Sequence, residues 1–176
     1  MALKLITTGA QEITNPMITQ DCIDLLNYRI EQEEFSSRVY LAMSVWLLDK
    51  GFDNIGSLWR KYADEEMKHA DWARTYLLSL GIRPDTPALE RPQTDFEGWG
   101  EIIRLTHAHE IEVTRQIKEF ADKMVEIKDH MLYELTLHYL KEQVEEMDKT
   151  QGWMDKLETF GENPDIFLML ELETED

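Results

Sequence analysis

The chain has little cysteine, little basic charge and no long apolar run, and each shortage excludes a class of protein. Its single cysteine, Cys22, cannot form a disulfide within the chain or build a thiolate metal cluster, and we interpret it as an ordinary helix residue. No apolar run reaches the length of a transmembrane span, so we expect no membrane partner. Residues 1–17 contain one lysine and no apolar core of the kind found in signal peptides, so we expect a cytoplasmic protein.

The chain has an excess of acidic residues. Aspartate and glutamate total 36 against 18 lysines and arginines, which gives a net charge of −18. Such a surface repels phosphates, so nucleic acid is excluded as a partner. Two interpretations remain, a highly soluble surface or a surface that attracts cations. The positions of the acids are more informative than their number.

The periodicity of the 176 residues predicts an all-α fold with a single domain over residues 1–176. We expect a loose arm over residues 1–16, a four-helix bundle over residues 17–160, and a short C-terminal helix and tail over residues 161–176. The first helix is expected to begin at Asn15-Pro16, because proline is tolerated at the first helical position, and to end near residue 48. The second helix is expected to end near residue 80 with Gly81 as its cap, the third to cover about residues 97–126, and the fourth to run from a turn at residues 128–129 to about residue 160.

The connection between the second and third helices is long and contains Pro84, Pro87 and Pro92. When extended, about 13 residues span roughly 45 Å, which is the length of a helix of about 30 residues. The connection can therefore run the full height of the bundle and leave the third helix parallel to the second. Residues 166–170 are apolar and too short to stand alone, so we expect them to pack as a fifth helix.

Each of the four long helices carries acid at mid-length on a face that is otherwise mostly apolar. The steps along each face are three or four residues, so each set lies on one side of its helix. The acids are Glu33, Glu66, Glu110, and Glu142 with Glu146. Carboxylates buried together repel one another and resist ionisation, and a highly charged cation removes that cost. The pattern predicts a metal site inside the bundle.

The most specific spacing is Glu66-x-x-His69, which puts a carboxylate and an imidazole one turn apart on the same face. This donor pair suits iron, manganese or zinc. Tyr40 follows Glu33 by two turns on its face, and is either a hydrogen-bond partner for a liganding carboxylate or a plain core tyrosine. On the fourth helix, either Glu142 and Glu146 face inward, or Gln143 does and the acids lie to one side.

The remaining histidines carry less information. His107 and His109 flank Glu110 but point off its stripe, and we expect them at the surface or at an interface. His130 and His138 have no spacing that indicates a site.

Taken together, these residues resemble the bacterial non-haem ferritins. The resemblance covers residue 18 to the C-terminus and depends on Phe35-Ser36-Ser37, on residues 64–69, on His109-Glu110, on the crossover and on the short last helix. It implies a ferritin-like four-helix bundle that oxidises Fe(II) to Fe(III) with O2 or H2O2 and stores the ferric mineral. It also implies a hollow homo-oligomer of 24 subunits.

The resemblance also implies roles for individual residues. The paired iron site is expected to consist of Glu33, Glu66, His69 and Glu110, with Glu66 bridging the two ions. Gln143 is expected beside the second iron, and Tyr40 at the same centre. A further iron site on the inner side is expected to comprise Glu65, Glu142, Glu145 and Glu146.

Two features depart from the family, and three rival interpretations remain. Residues 1–16 form a longer extension than is usual, and His138 stands where bacterial members often carry a tryptophan. A bacterioferritin would bind haem, for which Met67 is the candidate ligand, but it would need a second Glu-x-x-His where this chain has Glu142-x-x-Glu145, so no haem is expected. The other rivals are a soluble di-iron oxidase or peroxidase without storage, and a non-catalytic helical interaction module.

Overall fold

Five helices and no strand make up the part of the chain that the computed structural model describes, residues 17–173. The helices are α1 (Gln20–Asp49), α2 (Asp53–Ser79), α3 (Trp99–Ile127), α4 (His130–Phe160) and α5 (Pro164–Glu173). The predicted all-α fold with one long crossover and a short fifth helix is confirmed. None of the helices within this range is both long and apolar enough to cross a membrane.

Helix α1 begins later than the sequence predicts. Asn15-Pro16 and the rest of the expected arm lie outside the described residues, while residues 17–19 precede the helix. The reason is Thr19, whose hydroxyl accepts a hydrogen bond from the Cys22 N–H at 3.4 Å and so caps the first turn.

The first two long helices end through glycines in a left-handed conformation, Gly51 at φ +85° and Gly81 at φ +74°. Beyond Gly81, the N–H of Ile82 donates to the Leu77 carbonyl at 3.0 Å, which satisfies a carbonyl left open at the helix end. Gly81 therefore acts as the predicted cap, and Gly51 allows α2 to turn back against α1.

The second hairpin and the crossover complete the topology. Lys128, at φ 60°, ends α3, and the Asp129 carboxylate accepts from the Leu132 N–H at 2.9 Å to start α4. The crossover, residues 80–98, runs against α1, where the Asp85 N–H donates to Asn27 Oδ1 at 3.0 Å. Helix α1 packs mainly on α2, and α3 packs mainly on α4.

Two large apolar clusters lie toward the two ends of the bundle, with a polar layer between them and a smaller cluster of Val113, Ile117 and Tyr139 beside it. One large cluster draws on all five helices, with Leu47, Trp59, Ile103, Trp153 and Phe167 among its members. The other draws on the opposite ends of the four long helices, with Leu26, Leu77, Met124 and Leu132 among its members. On every long helix the buried polar residues at mid-length lie between these clusters.

Helix α5 covers one end of the bundle. Phe167 stacks on Trp99 with ring centroids 4.3 Å apart and contacts Phe52 at 4.4 Å. The Glu171 carboxylate accepts from the N–H groups of Asn54 and Ile55, at 2.5 and 2.8 Å, and caps the start of α2, where Phe52 has no side-chain oxygen to do so. The expectation that residues 166–170 pack as a fifth helix is confirmed.

Candidate metal centre

The polar layer contains three fully buried glutamates from three different helices. Glu33 of α1, Glu66 of α2 and Glu110 of α3 are exposed by no more than 3% each. Their neighbours in the chain face the apolar clusters, so each carboxylate is carried inward by the same helical face that buries the core. Carboxylates so placed need a cation, protons or hydrogen-bond donors to offset their burial.

Glu33, Glu66 and His69 form a potential metal site. One ligand atom from each lies within 4.8 Å of the others, and no other group of three or more metal-ligating side chains within residues 17–173 converges in this way. His69 Nδ1 lies 3.3 Å from Glu66 Oε2, as the one-turn separation on α2 requires. The donor set of two carboxylates and one imidazole suits a divalent transition metal such as iron.

Glu110 is held by two hydrogen bonds from other helices. Tyr40 of α1 donates its hydroxyl proton to Glu110 Oε1, and Gln143 Nε2 of α4 donates to Glu110 Oε2 at 2.6 Å. The two bonds fix the carboxylate beside Glu66 and orient it toward the middle of the bundle. Of the two interpretations of Tyr40, the structure favours the partner of a carboxylate.

The register of α4 differs from both sequence alternatives. Gln143 and Glu146 are both buried, whereas Glu145 is exposed and the side chain of Glu142 is 29% exposed. Tyr139 and Trp153 set this register, because steps of three and four between them pass through residues 143, 146 and 150. Glu142 lies at the edge, with Oε1 3.7 Å from His69 Nε2.

Two carboxyls of the layer, those of Glu66 and Glu146, favour the protonated form in the absence of a bound metal ion. Burial, reinforced by the charges of Glu33 and Glu110, raises the pKa of Glu66 well above its usual value. Burial also raises the pKa of Glu146 to about 7, although Lys149 opposes the shift. A cation entering the layer must therefore displace protons.

The surroundings of Glu33 bear on whether this group can hold an ion. Both carboxylate oxygens are buried, and the Arg29 guanidinium offsets part of that burial, with Nε 2.8 Å from Oε1. A buried carboxylate needs such a cation or a bound metal ion. The two carboxylates and one imidazole that converge here are donors that fit a metal ion.

Two cations in the layer were not predicted from the sequence. Arg29 is buried with Nε 2.8 Å from Glu33 Oε1, and Lys149 places Nζ 2.8 Å from Glu146 Oε1 and 3.3 Å from Glu65 Oε2. The available signal was spacing, since Arg29 precedes Glu33 by four residues and Lys149 follows Glu146 by three.

The four acids expected at a further iron site therefore have different surroundings and do not form one cluster. Glu65 and Glu146 share the ammonium of Lys149, Glu142 lies near His69, and Glu145 is on the surface. A further ion at this position would compete with Lys149.

The histidines around the layer are more involved in packing than the sequence suggests. His109 Nε2 lies 2.7 Å from Ser36 Oγ, and its ring contacts Tyr40 at 5.7 Å, while His107 Nδ1 lies 3.2 Å from Thr150 Oγ1. Both are half-buried between helices, where we expected them at the surface or at an interface. The short polar partners Ser36 and Thr150 make room for the rings.

Trp72 packs directly behind the candidate ligand His69. Its ring lies 4.6 Å from the ring of His69 and 4.0 Å from that of His138, measured between centroids. The aromatic residue beside the site thus comes from α2, with His138 of α4 stacked on its other side.

Comparison with known proteins places this geometry in a family. The sequence model described as "Ferritin-like domain" matches residues 23–160. A probable bacterial non-heme ferritin-like protein of Haemophilus influenzae is 33% identical over 147 residues, which cover 84% of this chain and 89% of that protein. A bacterial non-heme ferritin of Escherichia coli O157:H7 is 29% identical over 162 residues, covering 91% of this chain and 98% of that protein.

Among solved structures, the open pore ferritin of the archaeon Archaeoglobus fulgidus superposes with a TM-score of 0.86 at 26% identity, and the match covers 90% of this chain and 96% of that one. The resemblance inferred from the sequence motifs is thereby confirmed. The chain belongs to the ferritin family.

Proposed function

We propose that this protein oxidises ferrous iron at a paired site of Glu33, Glu66, His69 and Glu110, and stores the ferric product inside a hollow homo-oligomer. The observation that carries the proposal is the group of Glu33, Glu66 and His69, which is buried and whose ligand atoms converge within 4.8 Å. The names of the related proteins, bacterial non-heme ferritins, support iron as the metal.

In the proposed reaction, iron is the substrate. Glu33, Glu66 and His69 bind one ferrous ion, and Glu66 and Glu110 bind the second, so that Glu66 bridges the two. Each ion gives one electron to dioxygen, and the two electrons with two protons yield hydrogen peroxide and two ferric ions. Hydrogen peroxide can take the place of dioxygen as the oxidant, since it accepts two electrons and two protons to give two water molecules.

The surrounding residues have supporting roles. Tyr40 and Gln143 keep Glu110 oriented as charge builds up on the pair. Displacement of protons from the buried carboxyls accompanies iron binding, and hydrolysis of the ferric ions releases more. The product then moves toward the inner carboxylates, of which Glu65, Glu142, Glu145 and Glu146 are the proposed further iron site.

Storage requires an enclosed volume that one bundle does not provide. Helix α5 presents Leu168, Met169 and Leu172 to solvent, each more than half exposed, after packing its other face on its own bundle. An apolar face of this kind favours contact with further copies of the chain. We propose a homo-oligomer, by resemblance of 24 subunits, in the cytoplasm.

The test combines kinetics and size on the same samples. Stopped-flow absorbance after mixing ferrous iron with oxygen should show fast oxidation by the wild type, and at least a hundredfold loss in Glu66→Ala and His69→Ala, because each removes a ligand. His130→Ala, at an exposed position, is the matched control and should keep the wild-type rate. Circular dichroism should show an unchanged helical fold in all variants.

Light scattering and iron content then separate storage from its rivals. A large particle that retains far more than a few irons per subunit supports storage. A monomer or dimer with fast oxidation and few irons would identify the soluble oxidase or peroxidase. Wild-type oxidation rates in both Glu66→Ala and His69→Ala would contradict the proposed paired site.

A further inference from the structure

A buried arginine lies one helical turn before the first candidate iron ligand. Arg29 is 2% exposed, and its Nε lies 2.8 Å from Oε1 of Glu33, which is itself 1% exposed. The far end of the guanidinium donates from Nη1 to Gln116 Oε1 at 3.2 Å. An arginine stays charged under all ordinary conditions, so a permanent positive charge faces the ligand.

The pair is a close contact between opposite charges. Nε of Arg29 lies 2.8 Å from Oε1 of Glu33, and both side chains are shielded from solvent. At this distance in a buried site, the guanidinium attracts the carboxylate and offsets part of the cost of burying it. Glu33 therefore has a cation beside it even when no metal ion is bound.

No neighbouring position is electrostatically more favourable for the guanidinium of Arg29 than the one beside Glu33. A cavity of about 270 Å³ between α1 and α3 borders Arg29, but Arg115 and Lys123 also line it. Its one carboxylate, that of Glu119, is already paired with Arg115. Moving into this cavity would bring Arg29 toward like charges, so the guanidinium stays beside Glu33 whether or not a metal ion is bound.

We propose that Arg29 is a built-in counter-ion of Glu33, which stabilises the metal-free site and weakens the binding of the ion that Glu33 ligates. Its fixed charge offsets part of the repulsion among the three buried glutamates before iron arrives. The same charge then repels the ion held by Glu33, Glu66 and His69. The ion at the Glu33 position is consequently bound more weakly than its three ligands would bind it without the guanidinium. This inference depends on the proposed paired site.

A purely positioning role for Arg29 predicts the opposite effect on metal affinity. If the guanidinium served only to aim the Glu33 carboxylate, removing it would misplace a ligand and weaken binding. If its charge is what matters, removing it strengthens binding at the Glu33 position. Arg29→Gln removes the charge, and Arg29→Lys keeps the charge with a different shape, so the two variants separate the explanations.

The experiment is an anaerobic calorimetric titration of the metal-free full-length protein with Zn²⁺, which has no redox chemistry. The wild type should bind two ions per subunit at the paired site, apart from any weaker ion at the further acids. Arg29→Gln should tighten one of these two by at least about tenfold and leave the other nearly unchanged. Arg29→Lys should stay within about threefold of the wild type, since loss of a unit charge near a divalent ion outweighs a change of shape. Thermal unfolding should show a lower midpoint for metal-free Arg29→Gln than for the wild type, and a larger rise on adding Zn²⁺.

Equal or weaker Zn²⁺ binding by Arg29→Gln would overturn the inference and leave the paired site intact. A wild type that binds no stoichiometric Zn²⁺ would overturn the proposed function as well, so the two failures are distinguishable. Should Arg29→Gln fail to fold without metal, refolding with Zn²⁺ decides: recovery of the folded protein supports the counter-ion role, and failure to recover contradicts it.

Discussion

The hydroxyl of Tyr40 on α1 donates a hydrogen bond to Oε1 of Glu110 on α3, while Gln143 on α4 donates to the other oxygen of the same carboxylate at 2.6 Å. Three helices are thus joined at one carboxylate that also lies beside Glu66. The carboxylate accepts both bonds through oxygens that still have lone pairs for a metal. This arrangement leads to the first prediction.

Tyr40→Phe should weaken metal binding without unfolding the bundle. The ring remains in the core, but Glu110 loses one of its two donors and gains freedom to rotate. Loss of such a supporting hydrogen bond typically weakens metal binding by about 10- to 100-fold. Zn²⁺ titration and stopped-flow iron oxidation would measure the effect, with Tyr28→Phe at a half-exposed position as the control. Wild-type affinity in Tyr40→Phe would show that Gln143 alone holds Glu110.

The second prediction concerns pH and the metal-free protein. Burial raises the pKa of Glu146 from 4.5 to about 7 and raises that of Glu66 in the same direction. An acid whose pKa is higher in the folded state favours folding while it is protonated, so its contribution is full below pH 4.5 and is lost as the pH rises through about 7. The metal-free protein should therefore lose stability between these pH values.

Thermal unfolding at a series of pH values, with and without Zn²⁺, measures this dependence. Bound metal replaces the protons and should reduce the slope. Glu146→Gln should reduce the slope of the metal-free protein, because glutamine does not titrate. A metal-free stability that rises between pH 5 and 7 would contradict the assignment.

The third prediction concerns the proposed further iron site and Lys149. The ammonium lies between Glu65 and Glu146 and is 34% exposed, so a third ion must displace it into solvent. Lys149→Met should strengthen binding of a third ion, whereas Lys141→Met, exposed on the same helix, should not. Anaerobic Fe²⁺ titration gives the stoichiometry.

Replacing Glu142 and Glu146 by alanine tests the further iron site by removing two of its acids instead of the competing lysine. The double variant should change iron stoichiometry and turnover more than the first fast phase of oxidation. Unchanged stoichiometry and turnover would assign these acids to a solvated face with no role in iron binding.

The fourth prediction is that the protein purifies without haem. Met67 is 39% exposed, whereas the candidate ligand Glu66 beside it in the chain is buried. The expected spectrum lacks a Soret band after expression with excess haem precursor. A stoichiometric Soret band that disappears in Met67→Leu would favour the bacterioferritin alternative.

The fifth prediction separates the two faces of α5. Phe167→Ala should lower the stability of the bundle by about 3 kcal/mol, because it removes a buried ring stacked on Trp99. Changing the exposed Leu168, Met169 and Leu172 to serine should leave subunit stability nearly unchanged and reduce particle size. Light scattering and thermal unfolding of both variants would show which face serves assembly. An unchanged particle in the triple variant would show that α5 contributes only to its own bundle.

The sequence predicts the fold well because the helices are long and strongly periodic. On α3 the residues at steps of three and four from Trp99 through Glu110 to Met124 are all buried. On α4 apolar side chains occur on more than one face, and Thr136 is buried while Leu135, one residue earlier, is only half-buried. Periodicity fixes a face only where the other faces are polar.

The candidate ligands were predictable and their cations were not. Glu33, Glu66 and His69 stand out because each interrupts an apolar stripe, and a carboxylate there requires an explanation. Arg29 lies on the same face as Glu33, four residues before it, but arginines on helices usually extend their charge to solvent. Only the packing of α1 against α3 shows that this arginine is buried, because Gln116 of α3 accepts a hydrogen bond from its Nη1.

The two large apolar clusters on either side of the acids allow the bundle to fold without metal. Each cluster joins all four long helices without using any of the candidate ligands, so each end of the bundle has its own reason to pack. The bundle can therefore pack before any metal ion binds. In the proposed storage function, an empty particle can then be assembled in advance of the iron that it is to hold.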